Sequence, residues 1–133
     1  MRVGITASCF DLLHAGHIAM LKESKQHCDY LICCLQVDPT LDRPEKNKPV
    51  QSLFERYAQL NGTKYVDEII PYSSEKDLIE ILTTYDIDIR FVGEEYKEKQ
   101  FTGCDLDIPI YYNARKHSFS SSELRKRIGD SWE

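Results

Sequence analysis

Apolar residues fall into two kinds of segment along this chain. Short runs rich in apolar residues predict strands: Arg2 to Ala7, Tyr30 to Val37, Val66 to Ile70, Ile89 to Val92 and Pro109 to Tyr112. The second, apolar at nearly every residue, predicts a central strand of a parallel sheet covered on both faces. Pro39, Pro71 and Gly93 stand as stops after the second, third and fourth. Between the runs, apolar positions recur at helical spacing, as in Leu78, Ile81 and Leu82. The first predicted helix is Ala15 to Gln26. The second is capped by Ser52, has Glu55 at the capping-box spacing, and ends at Asn61 before Gly62. Ser73 or Ser74 opens the third. Ser120 or Ser121 opens the last, Ser122 to Ile128, with Gly129 as its stop and Asp130 to Glu133 as a frayed tail.

The resulting order is β-α-β-α-β-α-β-loop-β-α. Such alternation implies βαβ units with right-handed crossovers. The expected fold class is α/β, a doubly wound five-stranded parallel sheet with helices on both faces. The 133 residues fit one domain, 1–133, with no internal repeat or linker. A formal net charge of -5 argues against bulk attraction to nucleic acid. No apolar run approaches membrane-spanning length. Neither nucleic acid nor membrane is therefore an expected partner. Five cysteines, Cys9, Cys28, Cys33, Cys34 and Cys104, form no C-x-x-C pair. They read as buried or partly buried free thiols in a reducing compartment. With no signal-peptide pattern, the expected location is the cytoplasm.

Candidate chemistry collects where the strands end. His14 and His17 follow the first strand and share a helical face at a helix N-terminus, which favours anions. Lys46 and Lys48 follow the second strand, Gly93 the fourth, and Arg115 with a serine run the fifth. Doubly wound sheets bind ligands at that edge. Histidines, lysines, an arginine and hydroxyls gathered in an acidic chain suit a polyphosphate.

The string Phe10-Asp11-Leu12-Leu13-His14-Ala15-Gly16-His17 resembles the HxGH signature of the nucleotidyltransferase superfamily, above all its cytidylyltransferases. Lys64-Tyr65-Val66-Asp67-Glu68-Ile69-Ile70, and Arg115 followed by Phe119-Ser120-Ser121-Ser122, resemble further segments of that family. The resemblance covers almost the whole chain and implies a Rossmann-like fold. It implies catalytic roles for His14, His17, Lys46 and Arg115. Nucleotide binding is implied for Ser8, Cys9, Phe10, Gly16, Gly93, Ser120, Ser121 and Ser122, and acceptor binding for Lys48, Arg56 and Lys64. Asp11 is expected to order the turn rather than touch substrate. Ser8-Cys9 replaces the family's Gly-Thr, and Lys64 replaces an arginine, exchanging a bidentate fork for a point charge.

The activity implied is transfer of CMP from CTP to a small phosphorylated acceptor, glycerol 3-phosphate being the best match. Pyrophosphate leaves and a CDP-linked product forms. Mg²⁺ is expected on the triphosphate, with no protein metal ligands, and the Lys64–Ile70 segment implies a homodimer. Two alternatives remain. One is an adenylyltransferase using ATP with a sugar phosphate or flavin nucleotide. The other is a non-catalytic nucleotide-binding module.

Overall fold

The computed structural model describes residues 1–114 and 119–131. All five expected strands form, as β1 (Val3–Ser8), β2 (Tyr30–Gln36), β3 (Glu68–Tyr72), β4 (Ile89–Gly93) and β5 (Ile110–Asn113). They pair in parallel in the order β3-β2-β1-β4-β5. The chain winds outward from β1 to β3, then crosses back to β4 and β5. The switch point of this Rossmann-like sheet therefore lies between β1 and β4.

The helices are α1 (Ala15–Lys25), α2 (Leu53–Asn61), α3 (Glu75–Thr84) and α4 (Ser121–Ser131). The continuous apolar run of β2 is explained by its two covered faces. Leu31, Cys33 and Leu35 pack with Leu21 of α1 and Leu60 of α2. Ile32 and Cys34 pack with Leu78 and Leu82 of α3. Both side-chain sets of this strand leave water, which is the strongest drive for placing it centrally. The Ser52–Glu55 capping box forms as expected, and Ser74 caps α3 with Asp77 in the matching role.

Most boundaries shift by a residue or two, and some differences from the sequence reading have a clear cause. β3 runs through Pro71, which pairs with Leu35. A sheet-edge strand tolerates the missing N–H, and β3 is an edge. α4 continues through Gly129, where an added Cβ would meet nothing within 4 Å. Glycine weakens a helix interior but does not by itself end a helix. The loops after β2 and β4 each contain a short 3₁₀ turn, Pro39–Leu41 and Glu94–Tyr96. All five cysteines are free, and Cys104 is exposed rather than partly buried. Among the described residues no helix is long and apolar enough to cross a membrane.

Candidate active site

The turn from β1 into α1 places the two histidines. Phe10 and Leu12 take φ of 50° and 52°, a left-handed conformation that non-glycine residues adopt only under constraint. The constraint is visible. The Asp11 carboxylate accepts from the N–H groups of Val50 and Gln51, at 2.8 and 3.0 Å, and from Arg125 at 2.7 Å. Leu12 N–H donates to Gln51 Oε1, and Ser121 Oγ donates to the Asp11 carbonyl. Arg56 donates to the carbonyls of Cys9, Gln36, Val37 and Gln51. One carboxylate and one guanidinium thus fasten the turn to the 50–51 segment, β2 and α4. Burial raises the Asp11 carboxyl, but the two backbone donors and Arg125 outweigh it and hold the group below its ordinary range.

His14 is the N-cap of α1. Its Nδ1 accepts from Gly16 N–H at 3.0 Å, and His17 Nδ1 accepts from His14 N–H at 3.1 Å. Each imidazole therefore carries its proton on Nε2, as a hydrogen-bond donor. The ring centroids are 4.0 Å apart, and the buried Phe10 ring stands 5.7 Å from His17. Burial, reinforced by repulsion from His14, pushes the His17 pKa down to about 4. His17 is thus neutral at physiological pH: a poor base, but a pre-set donor.

Two hollows adjoin at the switch point. The first, about 270 Å³, is lined by His14, Gly16, His17, Gly93, Ser120 and Ser121 among others. The second, about 420 Å³, is lined by Ser8, Cys9, Gln36, Arg43, Lys46, Tyr72, Glu75 and Arg90 among others. Met20, Gly93, Glu95 and Asn113 belong to both. The structure therefore brings His14, His17, Gly16, Gly93, Ser120, Ser121, Ser8, Cys9 and Lys46 to one sheet edge. Burial raises the Cys9 thiol, and its sulfur accepts from Arg56 at 3.4 Å. Ser120 Oγ caps α4 by accepting from Glu123 N–H. Arg115 lies outside the described residues.

Several expected site residues line neither of the two hollows. The Phe10 side chain is wholly buried and buttresses the His17 ring. Arg56 is 2% exposed, with its donors on backbone carbonyls, so it clamps the turn instead of reaching an acceptor. Lys64 lies over the Tyr65 ring and lines a separate hollow with Leu13 and Ile18. Lys48 and Ser122 are exposed and line neither hollow of the site.

Sequence reasoning missed Arg43, Tyr72 and Arg90 in the larger hollow. Arg90 did leave a signal, as a lone charge inside the apolar run of β4. It also missed Arg125, whose bond to Asp11 joins residues far apart in the chain.

A doubly wound sheet carrying paired imidazoles and a cationic hollow at its switch point has the architecture of a nucleotide-handling α/β domain. The sequence matches the model of the cytidylyltransferase-like family over residues 5–127, and the chain belongs to that family. It is 30% identical over 130 residues to the bifunctional protein HldE of Campylobacter jejuni, a match covering 97% of this chain and 28% of that protein. The chain thus spans under a third of that relative. Glycerol-3-phosphate cytidylyltransferase of Bacillus subtilis is 29% identical over 128 residues, 96% of this chain and 98% of that one. Among solved structures, the lipopolysaccharide core biosynthesis protein of Thermoplasma volcanium aligns with a TM-score of 0.63 and 26% identity, covering 98% of this chain and 88% of that chain.

Proposed function

We propose that this domain transfers CMP from CTP to a small phosphorylated acceptor, with glycerol 3-phosphate the first to assay. The observation that carries this reading is the imidazole pair, fixed as two Nε2 donors beside a cationic hollow. Family membership, and likeness to the Bacillus enzyme over nearly the full length of both chains, support it.

An oxygen of the acceptor phosphate, already anionic near neutral pH, attacks the α-phosphorus. The new O–P bond forms as the bond to the bridging oxygen breaks, and pyrophosphate leaves with that electron pair. No proton need move, which suits a His17 that is a poor base. His14 and His17 donate to the oxygens where negative charge grows, and Lys46 adds positive charge at the rim. Positioning two polyanions supplies the rest of the acceleration.

Among the described residues no cluster of His, Cys, Asp or Glu could hold a metal alone. The donor set fits a Mg²⁺ carried on phosphate oxygens and water, neutralising charge, with Glu95 as the carboxylate common to both hollows. The homodimer reading draws support from exposed Phe54 and Tyr57 on α2, near the hollow that holds Lys64. A cytoplasmic location accords with five free cysteines.

The test is pyrophosphate release with CTP or ATP and a panel of phosphorylated acceptors. Turnover with CTP is expected. Turnover with ATP alone would move the assignment to an adenylyltransferase, and nucleotide binding without turnover to a binding module. His14→Ala and His17→Ala should each lower turnover roughly 10²-fold or more. Near-normal turnover in either would remove that residue from catalysis.

A further inference from the structure

Arg90 is a cation inside the sheet. It pairs with Ile5 in the β1–β4 register, while its neighbours Ile89 and Phe91 join the core on the α1–α2 face. Arg90 turns to the opposite face, beside Leu82 of α3 and Gly103, and is 6% exposed. Its Nη1 donates to the Thr102 carbonyl at 2.5 Å, and its guanidinium lies 5.2 Å from the Phe101 ring centre.

Among the described residues no carboxylate lies within 4.0 Å of Arg90. Glu75 and Glu95 line the same hollow; Glu75 is engaged by Arg43 and Gln36 and attracts Arg90 only from beyond ion-pair distance. A buried charge without a counter-charge is costly, and a ligand that supplies one removes the cost. Among the described residues no buried side-chain nitrogen or oxygen lacks a partner, yet Arg90 Nε and Nη2 have no acceptor among them. Those N–H groups therefore remain accessible from the larger hollow that Arg90 lines.

We propose that Arg90 reads the end of the acceptor farthest from its attacking phosphate, and that this end is a carboxylate. This rests on the transfer reaction proposed above. The histidine hollow takes the triphosphate, so the attacking phosphate sits at the boundary between the hollows and the rest of the acceptor fills the larger one. Arg90 lies level with Ile5, three residues before Ser8 at the strand end, or about 10 Å back along the strand. That depth separates it from the reacting phosphate. A planar fork with two open donors fits a carboxylate better than a single hydroxyl. Arg90 is therefore a specificity-determining residue.

The test uses two pairs of probes, each differing by a carboxylate in place of a terminal hydroxymethyl. They are 3-phosphoglycerate against glycerol 3-phosphate, and 6-phosphogluconate against glucitol 6-phosphate. Their dissociation constants are measured by calorimetry on the full chain saturated with a non-hydrolysable CTP analogue and Mg²⁺. In at least one pair the carboxylate is expected to bind about tenfold tighter or more. Arg90→Met should erase that preference without changing analogue affinity, and Arg90→Lys should restore part of it. A merely structural Arg90 would weaken both members of a pair alike.

Equal affinity within both pairs for the unaltered protein overturns the inference, whether or not Arg90→Met folds. So does a preference that survives in Arg90→Met. Failure of the analogue itself to bind would instead overturn the parent reading.

Discussion

The β1–α1 turn and the loop between β2 and α2 border the same hollow but are built in opposite ways. The turn holds two residues at positive φ and is pinned by Arg56, Asp11, Gln51 and Ser121. In the loop, residues 44–48 are all exposed, and Lys46 N–H makes a single local backbone bond to Arg43 O. The difference follows from the task of each. A donor that must meet charge as it develops has to be in place beforehand, because reorganisation during reaction would cost what the contact gains. A lysine that screens a polyanion needs only to be near, and its long side chain is a mobile point charge. Precision is concentrated at the imidazoles, and adaptability at the loop.

Removing the clamp of the turn should have the largest effect. Arg56→Met leaves the part-buried carbonyls of Cys9, Gln36 and Val37 without this donor. A loss of about 3 kcal/mol or more, roughly 1 kcal/mol for each carbonyl left unpaired, is expected by denaturant titration. A loss below about 1 kcal/mol would show that the turn is held elsewhere.

Asp11→Asn should cost less, about 1–3 kcal/mol, by weakening two backbone bonds and the Arg125 pair. The pH profile sharpens this. Asp11 sits below its ordinary value of 3.8, so its stabilisation is present above that pH and lost as pH falls through the lower folded value. His17 acts in a higher window. Its folded pKa of about 4 lies below the ordinary 6.5, so the unfolded chain binds the extra proton between them and stability declines as pH falls from 6.5 to 4. Asp11→Asn should flatten only the lower limb of the stability–pH curve, and His17→Asn only the upper. A single limb lost in both variants would contradict the separate origins.

The loop should yield the smallest effects. Lys48→Ala is expected to leave stability within about 0.5 kcal/mol and nucleotide KM unchanged. Lys46→Ala, at the rim of the hollow, should raise a substrate KM by up to about fivefold, on the scale of an exposed ion pair. Equal effects from the two lysines would erase the distinction between rim and solvent.

The same contrast explains what the sequence disclosed. Strands with both faces covered, and helices with local caps, announce themselves through short-range patterns, so β2 and the Ser52–Glu55 box were legible. The histidine pair was legible too, because its geometry is set within one helical turn. The clamp made by Arg56 was not legible because an arginine on an amphipathic helix reads the same whether it faces solvent or backbone carbonyls distant in the chain, such as that of Cys9, 47 residues away. The burial of Phe10 was not legible because its place beside the motif conceals that the left-handed turn directs its side chain into the core. Pro71 misled because edge or interior position depends on strand order, which local sequence does not carry.

The central claim is that the two imidazoles are held as Nε2 donors and meet the nucleotide phosphates. Long-range proton–nitrogen NMR of isotope-labelled histidine rings, with and without CTP and Mg²⁺, tests it directly. Expected are unprotonated Nδ1 and protonated Nε2 in both His14 and His17 at neutral pH, with saturable shifts of both Nε2 signals as CTP binds. Protonated Nδ1 in either ring, or CTP binding that leaves both Nε2 signals unmoved, would contradict it.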